Sequence, residues 1–300
     1  MALSSSPDHE PGPRVDPAAL RRALQRAAPT YDEAALLARE VQGRLLERLD
    51  LMQVDPGRLL VVDARTGADA RALARRFPKA AKYLADPAPV MLNRARKKRG
   101  WRSRQHFCTA WSGALPFPDG YFDLIWSNLG LPWTNDLDTV LRELRRVVAP
   151  EGLVLFSSLG PDTLAELRQA LPAAFGRVPD MPVFLDMHDV GDALSRAGLE
   201  GVVMENELLT VTYPDLRALL RDARATASGA LMENRPRGLL TPRRLAALDA
   251  ALPREAGRLP ARFEVVYGHA WRPERSGAAA DDSGIARIGI DQIGRAPGTR

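Results

Sequence analysis

Asp63, Arg65, Gly67 and Asp86 are placed where side chains and bare backbone can meet a ligand at the end of a sheet. The apolar burst Leu59-Leu60-Val61-Val62 runs directly into Asp63-Ala64-Arg65-Thr66-Gly67-Ala68-Asp69. Such a burst followed by a turn and an amphipathic segment predicts a buried parallel strand feeding a helix. Ala70, Leu73, Ala74 and Phe77 fall at helical spacing, and Pro78 stops that helix. A second short strand, Ala81 to Ala85, ends in Asp86, about twenty residues past the turn. An acid there stands at the carboxyl edge of the sheet, where it can accept hydrogen bonds from a ribose, or it is a strand-end acid with no ligand. Gly67 either lets backbone approach a ligand closely or merely closes the turn.

The elements that must position these residues can be followed along the chain. Residues 1 to 16 are rich in Ser, Pro and charge and read as disordered, with no apolar stretch of a secretory signal. From Pro17 to Met52 apolar residues recur at helical spacing, interrupted by Pro29-Thr30-Tyr31-Asp32. Pro87-Ala88-Pro89-Val90-Met91-Leu92 opens a helix with proline in its first turn. Strands are expected over His106 to Ala110, Phe122 to Leu129, Leu153 to Ser158, Val202 to Thr212 and Phe263 to Trp271. Helices are expected over Asp136 to Val148, Asp189 to Ala197, Asp215 to Ala225 and Thr241 to Leu252. Strands alternating with helices predict an α/β fold with a mostly parallel sheet.

The totals bound the function. Three hundred residues allow one large domain with a substantial core, and 45% hydrophobic with 26% charged residues is ordinary globular composition. No apolar run approaches the roughly 18 residues of a spanning helix. A single cysteine, Cys108, excludes an internal disulfide and fits a reducing cytoplasm. The formal charge of +5 has a focus. Arg94, Arg96, Lys97, Lys98, Arg99, Arg102 and Arg104 run without an intervening acid, which implies an acidic partner or a solvated basic face. His188 and His269 lack the spacing of a metal site and read as structural.

The strand-turn-helix-strand unit resembles motifs I and II of the class I S-adenosylmethionine-dependent methyltransferases. That family has an acid and then Gly-x-Gly-x-Gly at the turn. Two registers are open: Asp63 and Arg65 on the first two glycine positions, or Asp63 as the acid with Arg65 and Gly67 on glycine positions. The family pattern Asp-x-Ser-x-x-Met-Leu is matched from Asp86 apart from Ala88. Ser158-Leu159-Gly160-Pro161-Asp162-Thr163-Leu164, Phe184-Leu185-Asp186-Met187-His188-Asp189, Thr212-Tyr213-Pro214-Asp215-Leu216-Arg217 and Tyr267-Gly268-His269-Ala270-Trp271 look like the biotin-synthesis branch, which methylates malonyl-acyl-carrier protein. So does the segment running from the fourth strand into Gly130-Leu131-Pro132-Trp133.

The resemblance implies a Rossmann-like, seven-stranded, mostly parallel sheet with helices on both faces. It spans residues 17 to 272, with a helical lid near 160 to 190 and 213 to 260 and a polar tail over 273 to 300, in which Ile285 to Ile293 can form a strand. It implies S-adenosylmethionine as the cofactor and acidic acyl carrier protein as the partner. Asp63, Arg65, Gly67, Asp86, Trp111 and Leu129 would contact the cofactor, and Tyr31 and Asn128 the transferred methyl. Trp111 stands where the family has an acid for the adenine amino group; it can stack on a base but accepts no hydrogen bond. Arg65 either fills the pocket with its own guanidinium or swings out to meet the methionine carboxylate. Tyr31 can equally be a half-buried ring in a helix-capping turn, and Asn128 a strand-end cap. The expected activity is O-methylation of a malonyl thioester carboxylate in biotin synthesis, in the cytoplasm. A repurposed, non-catalytic paralogue of the kind linked to complex I assembly is the second reading. A nucleic-acid methyltransferase ranks last, because no Asn-Pro-Pro-Tyr-type motif follows the fourth strand.

Overall fold

The computed structural model describes residues 14–100, 103–179, 181–229, 231–235 and 241–274. Five strands form the parallel part of one sheet: β1 (Arg58–Val62), β2 (Ala81–Asp86), β3 (Gln105–Thr109), β4 (Phe122–Ser127) and β5 (Val148–Leu159). β6 (Glu200–Tyr213) and β7 (Leu259–Trp271) complete it in the order β3-β2-β1-β4-β5-β7-β6, with β7 antiparallel to both of its neighbours. This is the Rossmann-like, seven-stranded sheet that the resemblance implied. The order reverses at β1, so β2 and β4 diverge from its carboxyl end and leave a crevice there.

Leu59, Leu60, Val61 and Val62 are all buried because β1 is covered on both faces. On one face α3 (Leu36–Asp50) and α4 (Ala68–Arg76) pack through Val41, Leu45, Leu49, Ala70 and Leu73. On the other, α6 (Leu137–Val147) and α8 (Met187–Arg196) pack through Leu141, Leu144, Val190 and Leu194. Each of these Val and Leu side chains contributes about 1.5–3 kcal/mol on burial. α5 (Pro89–Lys97) starts with Pro89 in its first turn, as expected.

Helices α7 (Ala165–Phe175), α9 (Leu216–Ala225) and α10 (Pro242–Ala251) share a separate apolar cluster with the start of β7, around Leu171, Leu219, Leu248 and Leu259. They occupy the segments expected to form a lid. α8, at the end of the first lid segment, belongs instead to the sheet-covering layer. β7 begins at Leu259 rather than Phe263, because its pairing with β6 continues to Tyr213.

Residues 14–16, expected within a disordered terminus, are tied down. Val15 is buried and bridges to Met232, its N–H donates to Asn135 Oδ1 at 2.7 Å, and Asp16 caps α1 (Pro17–Ala27). The expected strand over Ile285 to Ile293 lies outside the described residues.

Gly67 is needed for two separate reasons. Its φ of 78° is left-handed, and a Cβ there would lie 2.9 Å from the Ala95 Cβ on α5. The close approach is thus to a neighbouring helix. Gly67→Ala is expected to cost on the order of 1–3 kcal/mol in urea unfolding. Adding Ala95→Gly should recover the contact part of that loss while leaving the backbone part.

Candidate cofactor crevice

The carboxyl end of β1 places Asp63 directly after the strand, Arg65 in the turn, and Gly67 as the residue before α4. Asp63 and Arg65 both take left-handed backbone, φ 52° and 47°. For residues with a Cβ this is uncommon and costs of order 1–3 kcal/mol unless the surroundings compensate.

The compensation is a buried charge cluster. The Arg65 backbone N–H donates to Asp86 Oδ2 at 2.9 Å, and its Nη1 reaches the same oxygen at 3.0 Å. Nη1 also lies 3.5 Å from Asp63 Oδ1. Asp86 is fully buried, and its Oδ1 accepts the Ala88 N–H at 2.8 Å at the start of α5. Of the two sequence-based alternatives for Arg65, the side chain fills the crevice. Burial pulls the Arg65 pKa down, but Asp86 and then Asp63 more than reverse this, so the guanidinium stays charged. Burial pushes Asp63 up to about 6, against the pull of Arg65 and with help from Asp86. Asp63 lies against Gly130, where a Cβ would sit 2.5 Å from its Oδ2.

Beside this cluster is a cavity of about 190 Å³ between the turn and the N-terminal helices α2 (Tyr31–Ala34) and α3. Tyr31 lines it next to Arg65, and burial raises its hydroxyl pKa. Asn128 lines it too, but its amide is engaged: Nδ2 donates to Ala38 O at 2.9 Å and to Asp69 Oδ1 at 3.1 Å, and Oδ1 accepts from Ser157 Oγ at 3.0 Å. Leu129 is left-handed, φ 53°, with its N–H donated to Ser157 Oγ at 3.0 Å.

Trp111 follows the end of β3. It packs with Leu20, Leu24, Ala88 and Met91 and lies under the Arg21 guanidinium. His188 pairs with Asp186 at the exposed start of α8, and His269 sits in β7 with its pKa lowered by burial.

Several polar residues of the crevice were not read from the sequence. Asp69, whose pKa burial raises, accepts from Gln42 Nε2 at 2.9 Å as well as from Asn128. Asp32 accepts from both Thr66 Oγ1 and Lys98 Nζ, tying α2 to the turn and to the basic run. Asp69 in the first turn of α4 was a visible signal, since an acid is favoured there. Gln42 and Asp32 carried none.

The raised pKa of Asp63 has a pH consequence. The folded state holds that proton up to about pH 6, whereas the unfolded chain releases it near 3.8. The folded state therefore binds more protons, so this stabilisation is complete below the lower value and is lost as pH rises through about 6. The stability difference between the wild-type chain and Asp63→Asn should shift against wild type by on the order of 3 kcal/mol from acid to neutral pH. Urea titrations at a series of pH values measure it, and a flat difference would place the Asp63 pKa near its ordinary value.

Comparison with known proteins agrees with this geometry. A methyltransferase-domain family model matches residues 60–156, from β1 into β5. The malonyl-[acyl-carrier protein] O-methyltransferase of Halorhodospira halophila is 45% identical over 285 residues, covering 94% of this chain and 96% of that protein. Its namesake from Laribacter hongkongensis is 42% identical, covering 86% and 90%. Among solved structures, the YcgJ protein of Bacillus subtilis superposes with a TM-score of 0.55 at 16% identity, over 77% of this chain and 98% of that one, a likeness of fold. Identity at this level, sustained along nearly the whole of both chains, means that the chain belongs to the malonyl-[acyl-carrier protein] O-methyltransferase family.

Proposed function

We propose that the chain is an S-adenosylmethionine-dependent O-methyltransferase that esterifies the free carboxylate of a malonyl group held on acyl carrier protein, as a cytoplasmic step of biotin synthesis. The observation that carries this reading is the 45% identity to a namesake enzyme along 96% of its length. When bound, the cofactor supplies an electrophilic methyl group. A malonyl carboxylate is already ionised at neutral pH, so the protein has no proton to remove. Its work is to orient the acceptor and exclude water, for which alignment alone is worth several orders of magnitude in rate. Asp86 is the residue placed to hold a ribose, provided Arg65 gives up its oxygen. Tyr31 lines the adjoining cavity, where its ring would cover the reacting groups. Asn128 and Leu129 shape the wall through Ser157.

One observation favours the second reading, a binding protein without catalysis: the Arg65 guanidinium pairs with Asp86, the carboxylate assigned here to the ribose. Purified protein incubated with S-adenosylmethionine and malonyl-acyl-carrier protein decides between the two. Methyl ester detected by mass spectrometry is expected, and no ester at saturating cofactor overturns the enzyme reading.

The partner would meet the basic end of α5 and the residues after it, where Arg96, Lys97 and Arg99 are exposed. Lys97→Glu with Arg99→Glu should lower kcat/KM for malonyl-acyl-carrier protein about tenfold at low salt, with little change for a small malonyl thioester. Equal losses on both acceptors would remove the carrier from that face.

A further inference from the structure

A side chain of the protein itself satisfies the acid that would hold the cofactor's ribose. An ionised carboxylate offers about four acceptor positions. At Asp86, Ala88 takes one on Oδ1, while the backbone and the guanidinium of Arg65 take both on Oδ2. Two neighbouring ribose hydroxyls need two acceptors, and one is left.

Charge and space point the same way. The guanidinium lies between Asp86 and Asp63, at 3.0 and 3.5 Å, in a place where a second cation would meet repulsion. The adjoining cavity of about 190 Å³ is smaller than the roughly 300–1,000 Å³ typical of ligand pockets. The turn is also set for this arrangement, because the left-handed backbone at Arg65 aims its N–H at the same carboxylate oxygen as its guanidinium.

We infer that Arg65 is an internal competitor for the methyl donor: the nucleoside reaches Asp86 only when the guanidinium withdraws, and that exchange sets the chain's affinity for the cofactor. The inference rests on the methyltransferase reading of the crevice. Because withdrawal precedes binding, the guanidinium lowers the affinity for the sulfonium and for its thioether product by the same factor.

Isothermal titration of the purified full chain tests this with S-adenosylmethionine and with S-adenosylhomocysteine. Arg65→Gly, which suits the left-handed turn, should bind both nucleosides at least tenfold more tightly than wild type, by a similar factor. Arg65→Asn, also tolerant of that backbone, gives the same comparison if the glycine variant does not fold. Affinities equal to or weaker than wild type, or no detectable binding by either variant, overturn the inference. The readout is binding heat, so its failure is separable from that of the proposed activity. Tighter binding without ester formation would defeat only the enzyme reading, and ester formation with unchanged affinity would defeat only this one.

Discussion

β1 is buried on both faces, and this constraint shapes everything at its carboxyl end. A strand covered on both sides by helices accepts only apolar side chains, and Leu59 to Val62 supply them. Polar groups must therefore gather where the strand stops. There β2 and β4 part on either side, and three charged residues, Asp63, Arg65 and Asp86, meet within one crevice. A lone buried carboxylate at that spot would be costly. A guanidinium between two carboxylates lowers the cost, and breaking such a cluster from one side typically loses about 3–5 kcal/mol.

The turn shows how strain and charge are balanced. Asp63 and Arg65 stand in left-handed backbone, a conformation that would be cheap for glycine. The strain is tolerated because Asp86 receives two hydrogen bonds from one residue, Arg65. Gly67 shares that backbone and has a second reason to be glycine, its close approach to Ala95. The family uses glycine at such turns so that backbone can face a ligand. In this chain one of those positions faces a partner within the protein.

Around the crevice, the second ring of polar residues gives rigidity. Asn128 links α3, α4 and β5 through Ala38, Asp69 and Ser157, which fixes the wall formed by the end of β4. Asp32 ties the N-terminal helices to Thr66 and Lys98. The helices expected to cover the substrate share an apolar cluster with the start of β7, which anchors them to the sheet.

By itself the sequence determined the architecture. Period-two and period-3.6 patterning, proline at helix starts and stops, and an acid at the end of β2 are local signals, and local signals survive without knowledge of contacts. They were enough for an α/β fold with a mostly parallel sheet and the helices beside it, while the resemblance supplied the seven-stranded arrangement. Element ends moved by a few residues, as at Leu259, because pairing partners set where a strand stops. What only the tertiary structure decided was the direction of side chains. Whether Arg65 pointed out to solvent or in toward Asp86 depended on a carboxylate twenty-one positions along the chain. The partners of Asn128, namely Ser157, Asp69 and Ala38, come from three elements, and Trp111 joined a cluster with α1 and α5. Pairings of this kind are made across the fold, between residues whose separation in sequence carries no period.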